Sequence, residues 1–120
     1  MTKANAIYSF WASFGLNAYE ENSVPDDAQF PFITYELATD RFGEEVSLTA
    51  SLWYKEPSWV NANAKADAVY AELVGGKYIT YDGGAALLEG ATPFAQGTSD
   101  PSDKEIKRII INYTAEFLSI

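Results

Sequence analysis

Val46-Ser47-Leu48-Thr49-Ala50-Ser51-Leu52-Trp53-Tyr54 alternates without a break. Val46, Leu48, Ala50, Leu52 and Tyr54 fall on one side, while Ser47, Thr49, Ser51 and Trp53 fall on the other. Successive side chains of a strand point to opposite faces, so this pattern predicts an antiparallel strand with one buried face. The end of the chain repeats it. Ile109, Ile111, Tyr113, Ala115 and Phe117 share one face, with Arg108, Asn112, Thr114 and Glu116 mostly on the other. Working backwards, Phe32 to Thr39 is rich in β-branched and aromatic residues and reads as a strand. Asp40-Arg41-Phe42-Gly43 has the composition of a turn, which makes these two strands a hairpin. Lys77 to Tyr81 and Ala85 to Glu89 form a second hairpin around Asp82-Gly83.

Two segments carry the helical period instead. Ile7, Phe10, Trp11 and Phe14 recur on one face from Lys3 to about Phe14, and Gly15 is placed to end that helix. Trp59, Ala62, Ala66, Val69, Tyr70 and Leu73 form the stripe of a second helix, with Ser58 as N-cap and Gly75-Gly76 as terminator. Residues 17–31 read as a polar loop with a short extended piece near Ala18–Glu20, and residues 90–104 as a long connection. The order α-β-β-α-β-β-β predicts an α+β domain, a mostly antiparallel sheet with both helices packed on one face. Ile109, Ile111, Tyr113 and Phe117 are expected to meet Ile7, Trp11, Val69 and Leu73 there. With 120 residues, the chain is one domain, 1–120.

Composition removes whole classes of chemistry. Cysteine and histidine are both absent, which excludes disulfides, thiolate nucleophiles, Cys/His zinc sites and imidazole catalysis. No cofactor and no metal is expected. The balance of 17 Asp plus Glu against 8 Lys plus Arg gives a net charge of −9, the wrong sign for gripping nucleic acid. No signal peptide is visible and no apolar run is long enough to span a membrane, so no membrane association is expected.

Each candidate site has a plain structural reading beside it. Glu20/Glu21, Asp26/Asp27 and Glu44/Glu45 are adjacent carboxylates in polar stretches, where solvation keeps them ordinary rather than catalytic. Asp100 and Ser102 have oxygen ligands but not the spacing of a calcium loop, and turn chemistry accounts for them. Trp53 falls among serines and threonines, which makes it either an exposed aromatic at an interface or a side chain covered by loops. The alanines of the second helix serve either helix propensity or the close approach of a neighbouring subunit. Phe94 has no periodic partner; it either anchors a projecting loop, with Gln96 as a hydrogen-bonding partner, or folds back over the sheet edge.

The stretches Phe30-Pro31-Phe32-Ile33-Thr34-Tyr35-Glu36-Leu37, Ser47 to Tyr54, Thr92-Pro93-Phe94-Ala95-Gln96 and Arg108 to Phe117, with the two helices, cover most of the chain. Together they resemble the small tail-terminator (tail-completion, minor capsid or minor tail) proteins of long-tailed phages and prophages. The resemblance implies a structural protein without catalysis. It implies a homo-oligomeric ring, a hexamer, that caps the tail tube, ends its polymerisation and joins tail to head. The implied partners are the major tail tube protein and a head-completion or connector protein, with DNA passing through unbound. The implied location is the virion neck or tail, after assembly in the host cytoplasm. Phe94, Gln96, Trp53, Arg41 and Phe42 are then expected at subunit or tube contacts. Glu20, Glu21, Asp26, Asp27, Glu44 and Glu45 are expected along an acidic lumen or rim. Another neck or connector component, an acidic DNA-mimic inhibitor, a carboxylate-dependent enzyme and an unrelated adaptor are the competing readings.

Overall fold

The computed structural model describes residues 1–37 and 44–119. Among them the chain runs α1 (Lys3–Ala12), β1 (Asn17–Glu20), β2 (Phe32–Tyr35), β3 (Glu45–Lys55), α2 (Val60–Leu73), β4 (Lys77–Tyr81), β5 (Gly84–Ser99) and β6 (Ile106–Ser119). The strands form one sheet in the order β1-β2-β3-β6-β5-β4. Only the β1–β2 pair is parallel; the other neighbours are antiparallel. The mostly antiparallel α+β class is therefore the observed one. The expected element order needs one correction. The extended piece near Ala18 pairs with β2 as a full sheet member, so a strand precedes the first hairpin.

β3 and β6 form the spine of the sheet. Leu48 lies opposite Tyr113, Ala50 opposite Ile111 and Leu52 opposite Ile109, which brings the two alternating patterns onto a common face. Ile33 opposite Leu52 and Ala86 opposite Phe117 continue that face on either side. A single buried cluster joins these positions to Ile7, Phe10 and Trp11 of α1 and to Ala62, Ala66, Val69 and Leu73 of α2. Trp11 meets the Tyr113 ring edge-on at 5.4 Å. Burial pushes the Tyr113 hydroxyl well above its ordinary value of 10.0. The buried Trp11 Nε1 donor has no partner at hydrogen-bonding geometry.

The helix ends follow local chemistry. Thr2 caps α1 by accepting from the Asn5 backbone N–H at 3.2 Å. In α2 the N-cap is Trp59 rather than Ser58; the Ser58 hydroxyl still accepts the Val60 N–H at 3.1 Å. Gly75 and Gly76 take φ of 101° and 89°, the left-handed conformation that ends α2 cheaply only with glycine.

The expectation of a long loop over residues 90–104 is overturned. β5 continues through this stretch to Ser99, paired with β6 from Ala95 opposite Ile111 to Ser99 opposite Lys107. Between Gly90, opposite Tyr113, and Ala95 the register shifts, so residues 91–94 bulge out against Asn112. Pro93 sits inside the bulge, where its missing N–H interrupts no ladder bond. Only residues 100–105 remain as connection, and there the Asp100 carboxylate accepts the Ser102 N–H at 2.7 Å. Turn formation is thus what Asp100 does.

Candidate functional site

The side chains opposite the core cluster build a second surface. On β6 the alternate positions Ile106, Arg108, Ile110, Asn112, Thr114 and Glu116 are all half-buried, so this face is neither core nor fully solvated. Trp53 lies on it, directly opposite Arg108. Its indole Nε1 donates to Thr34 Oγ1 at 3.0 Å, and its ring stacks on Phe32 with centroids 6.2 Å apart and planes at 18°. The Arg108 guanidinium covers the same ring at 4.8 Å, while Arg108 Nε donates to Ser51 Oγ at 2.9 Å. This fixes the cation against an aromatic face, an arrangement that suits Arg better than Lys. A cleft of about 440 Å³ opens beside the group, lined by Val24, Phe30, Phe32, Trp53 and Arg108 and by the carboxylate residues Glu21 and Asp100. Trp53 is half-buried, held between Phe32 and Arg108, and it also lines this cleft.

The remaining expected contact residues do not gather here. Phe94 lies in the β5 bulge and turns back, meeting the Tyr70 ring of α2 edge-on at 5.1 Å. It packs so closely over Gly90 that a Cβ there would stand 2.8 Å from Phe94 Cδ1. A projecting loop with Phe94 at its tip is therefore not the structure; the bulge packs against the partly buried edge of the core. Gln96 is exposed, and its Oε1 accepts from Asn112 Nδ2 at 3.2 Å. Arg41 and Phe42, with the turn expected over residues 40–43, lie outside the described residues.

The acidic set divides in two. Glu20 ends β1, and its carboxylate accepts the Asn22 N–H at 2.8 Å; Glu21, Asp26 and Asp27 are exposed in the connection that follows. Glu44 and Glu45 are exposed at the start of β3, where Glu45 sits opposite Glu116 of β6. Like charges in register cost stability, so that end of the sheet concentrates negative charge. No cluster of carboxylates among the described residues has the arrangement of a metal site.

Lys107 is the opposite case, a cation with almost no exposure at 4%. Its Nζ donates to the Glu56 and Lys104 carbonyls, both at 2.8 Å, and lies 5.5 Å from the Trp59 ring centroid. These bonds staple the ends of β3 and β6 together, a role that its place beside Arg108 in the sequence did not disclose. Val60 and Tyr70 of α2, Val74 at its C-cap and Tyr78 of β4 are further exposed apolar side chains. Exposed Ala64, Ala68 and Ala71 lie on α2 among them.

The fold is shared. A chain from a structure described as "Virion of native gene transfer agent (GTA) particle" superposes with a TM-score of 0.69, covering 97% of this chain and 94% of that one at 19% identity. No protein-family model matches the sequence, and no curated protein matches it.

Proposed function

We propose that this chain is a structural component of a phage-type virion, a tail terminator that forms a ring on the finished tail tube and joins it to the head. The observation that carries the reading is the end-to-end likeness of fold to a virion component, with no insertion or missing element large enough to lower the coverage of either chain. The sequence resemblance to tail-terminator proteins points the same way. Chemistry agrees: a chain without His or Cys has few routes to catalysis, and we assign it none.

A ring built from identical subunits needs two different sticky surfaces on each. The Trp53–Arg108 cleft and the exposed apolar residues around α2 are two such surfaces on separate parts of the molecule. In this reading Gln96 and Trp53 belong to contacts, and Phe94 supports the surface from behind. Glu20, Glu21, Asp26, Asp27, Glu44 and Glu45 line the lumen or its rim, where negative charge lets DNA slide without adhering.

Deleting the gene from a phage that carries it tests the assignment. Overlong tails without heads are the expected products. Tails of normal length beside DNA-filled heads would place the protein in the neck instead. An unaltered particle yield, with the purified chain competing with DNA for a nuclease, would favour the acidic mimic.

A further inference from the structure

The phase of β5 is set by one hydrogen bond: the Asp100 N–H donates to the Ile106 carbonyl at 3.0 Å. In an antiparallel pair the backbone groups of alternate residues face the partner strand. Gln96 and Thr98 therefore turn their N–H and C=O groups to β6, and Ala95, Gly97 and Ser99 turn theirs away from it. Among the described residues no strand lies on that outer side, because β4 reaches only Gly84 to Leu88. All of residues 95–99 are exposed.

Free edges of this kind are normally guarded by charge, proline, or cover. Among the described residues, the two outermost strands are guarded. On β1, Ala18 is 5% exposed and the Glu20 carbonyl accepts the Ser23 N–H. β4 begins with Lys77 and is followed by Asp82, whose N–H donates to the Met1 carbonyl at 2.8 Å. The β5 segment Ala95-Gln96-Gly97-Thr98-Ser99 has neither charge nor proline, and the bulge with Pro93 precedes it.

We propose that the outer edge of β5 over Ala95–Ser99 receives an extended segment from a second copy of this chain, continuing the sheet from one subunit into the next. Charge argues for the occupant. Copies that each carry −9 repel, so they meet at least cost through a neutral run, and Gly90 to Ser99 is uncharged throughout. The neutral run offers a basic partner no local ion pair. What the edge does present is unsatisfied backbone, which recognises any strand and favours the one at highest local concentration. The proposal rests on the virion reading in one respect, that many copies of the chain sit side by side.

Sedimentation velocity over a concentration series, with thermal melting alongside, tests this on the full chain. Ser99→Pro removes an outward N–H and sets a ring in the path of an incoming strand, yet keeps the pairing with β6; Ser99→Ala is the control. Wild type and Ser99→Ala should associate, and Ser99→Pro should associate at least about tenfold more weakly (roughly 1.4 kcal/mol) at an unchanged melting temperature. Amide exchange of the unmodified protein gives an independent reading. Ala95, Gly97 and Ser99 should exchange fast when dilute and slowly when assembled. Equal association of Ser99→Pro, a wild type that stays monomeric throughout, or assembly that leaves these amides unprotected would overturn the proposal. So would protection that arises only on adding a different virion protein. Particles in which Ser99→Pro assembles normally would overturn the edge pairing alone, whereas wild-type protein missing from particles would overturn the virion reading.

Discussion

Ile111 has no exposed surface and stands at the centre of the sheet, opposite Ala50 on one side and Ala95 on the other. Small residues on both flanks leave it to fill the space beneath the helices, so its loss opens a cavity that Ala50 and Ala95 cannot close. Ile111→Ala is expected to destabilise by about 2–4 kcal/mol, read as a lower denaturant midpoint. Phe94 differs in degree. Half-buried against Tyr70, its truncation by Phe94→Ser should cost about 1–2 kcal/mol and lower the melting temperature measurably. A stability-neutral Phe94→Ser would be the behaviour of a projecting anchor, which the ring contact with Tyr70 argues against.

At the scale of elements, the turn between β5 and β6 holds the two longest strands in register. Its Asp103 carboxyl is kept below its ordinary value of 3.8, first by the Glu105 backbone N–H and then by Lys55, whose Nζ lies 3.3 Å away. A carboxylate with a lowered folded pKa contributes stability above its unfolded pKa and loses it as pH falls through the folded value. Wild type should therefore weaken as the pH drops below about 4, and Asp103→Asn should flatten that acid limb. Thermal melts across the range check it; because the group is exposed, salt should shrink the difference.

For the molecule as a whole, the tyrosines set the alkaline limit. Burial raises the hydroxyls of Tyr35, Tyr54, Tyr81 and Tyr113 above 10.0, Tyr113 most of all. A raised folded pKa means that the stabilising contribution is complete below the unfolded value and is lost as pH climbs through the folded one. The melting temperature should fall above about pH 10, and Tyr113→Phe should soften that fall. Absorbance of the phenolate during an alkaline titration would show Tyr113 ionising only as the protein unfolds. Ionisation of all eight tyrosines in the native state would contradict the burial described here.

The two spine strands, the two helices and the class of fold were legible in the order of residues alone. In Val46 to Tyr54, Arg108 to Phe117 and the stripe of α1, burial imposes a period that survives in one dimension. Composition likewise excluded thiol and imidazole chemistry outright. The far half of β5 depended instead on its partner strand. Within Ala95 to Ser99 only Thr98 is a strand former, and the segment is extended because β6 runs alongside as a template. The same holds for β1, four residues made a strand by parallel pairing with β2. Trp53 with Arg108, and Lys107 with the Glu56 carbonyl, join residues 55 and 51 positions apart, a proximity created by register rather than by any local pattern. Contacts of that separation leave no mark on nearby sequence, because their geometry is supplied by the other strand.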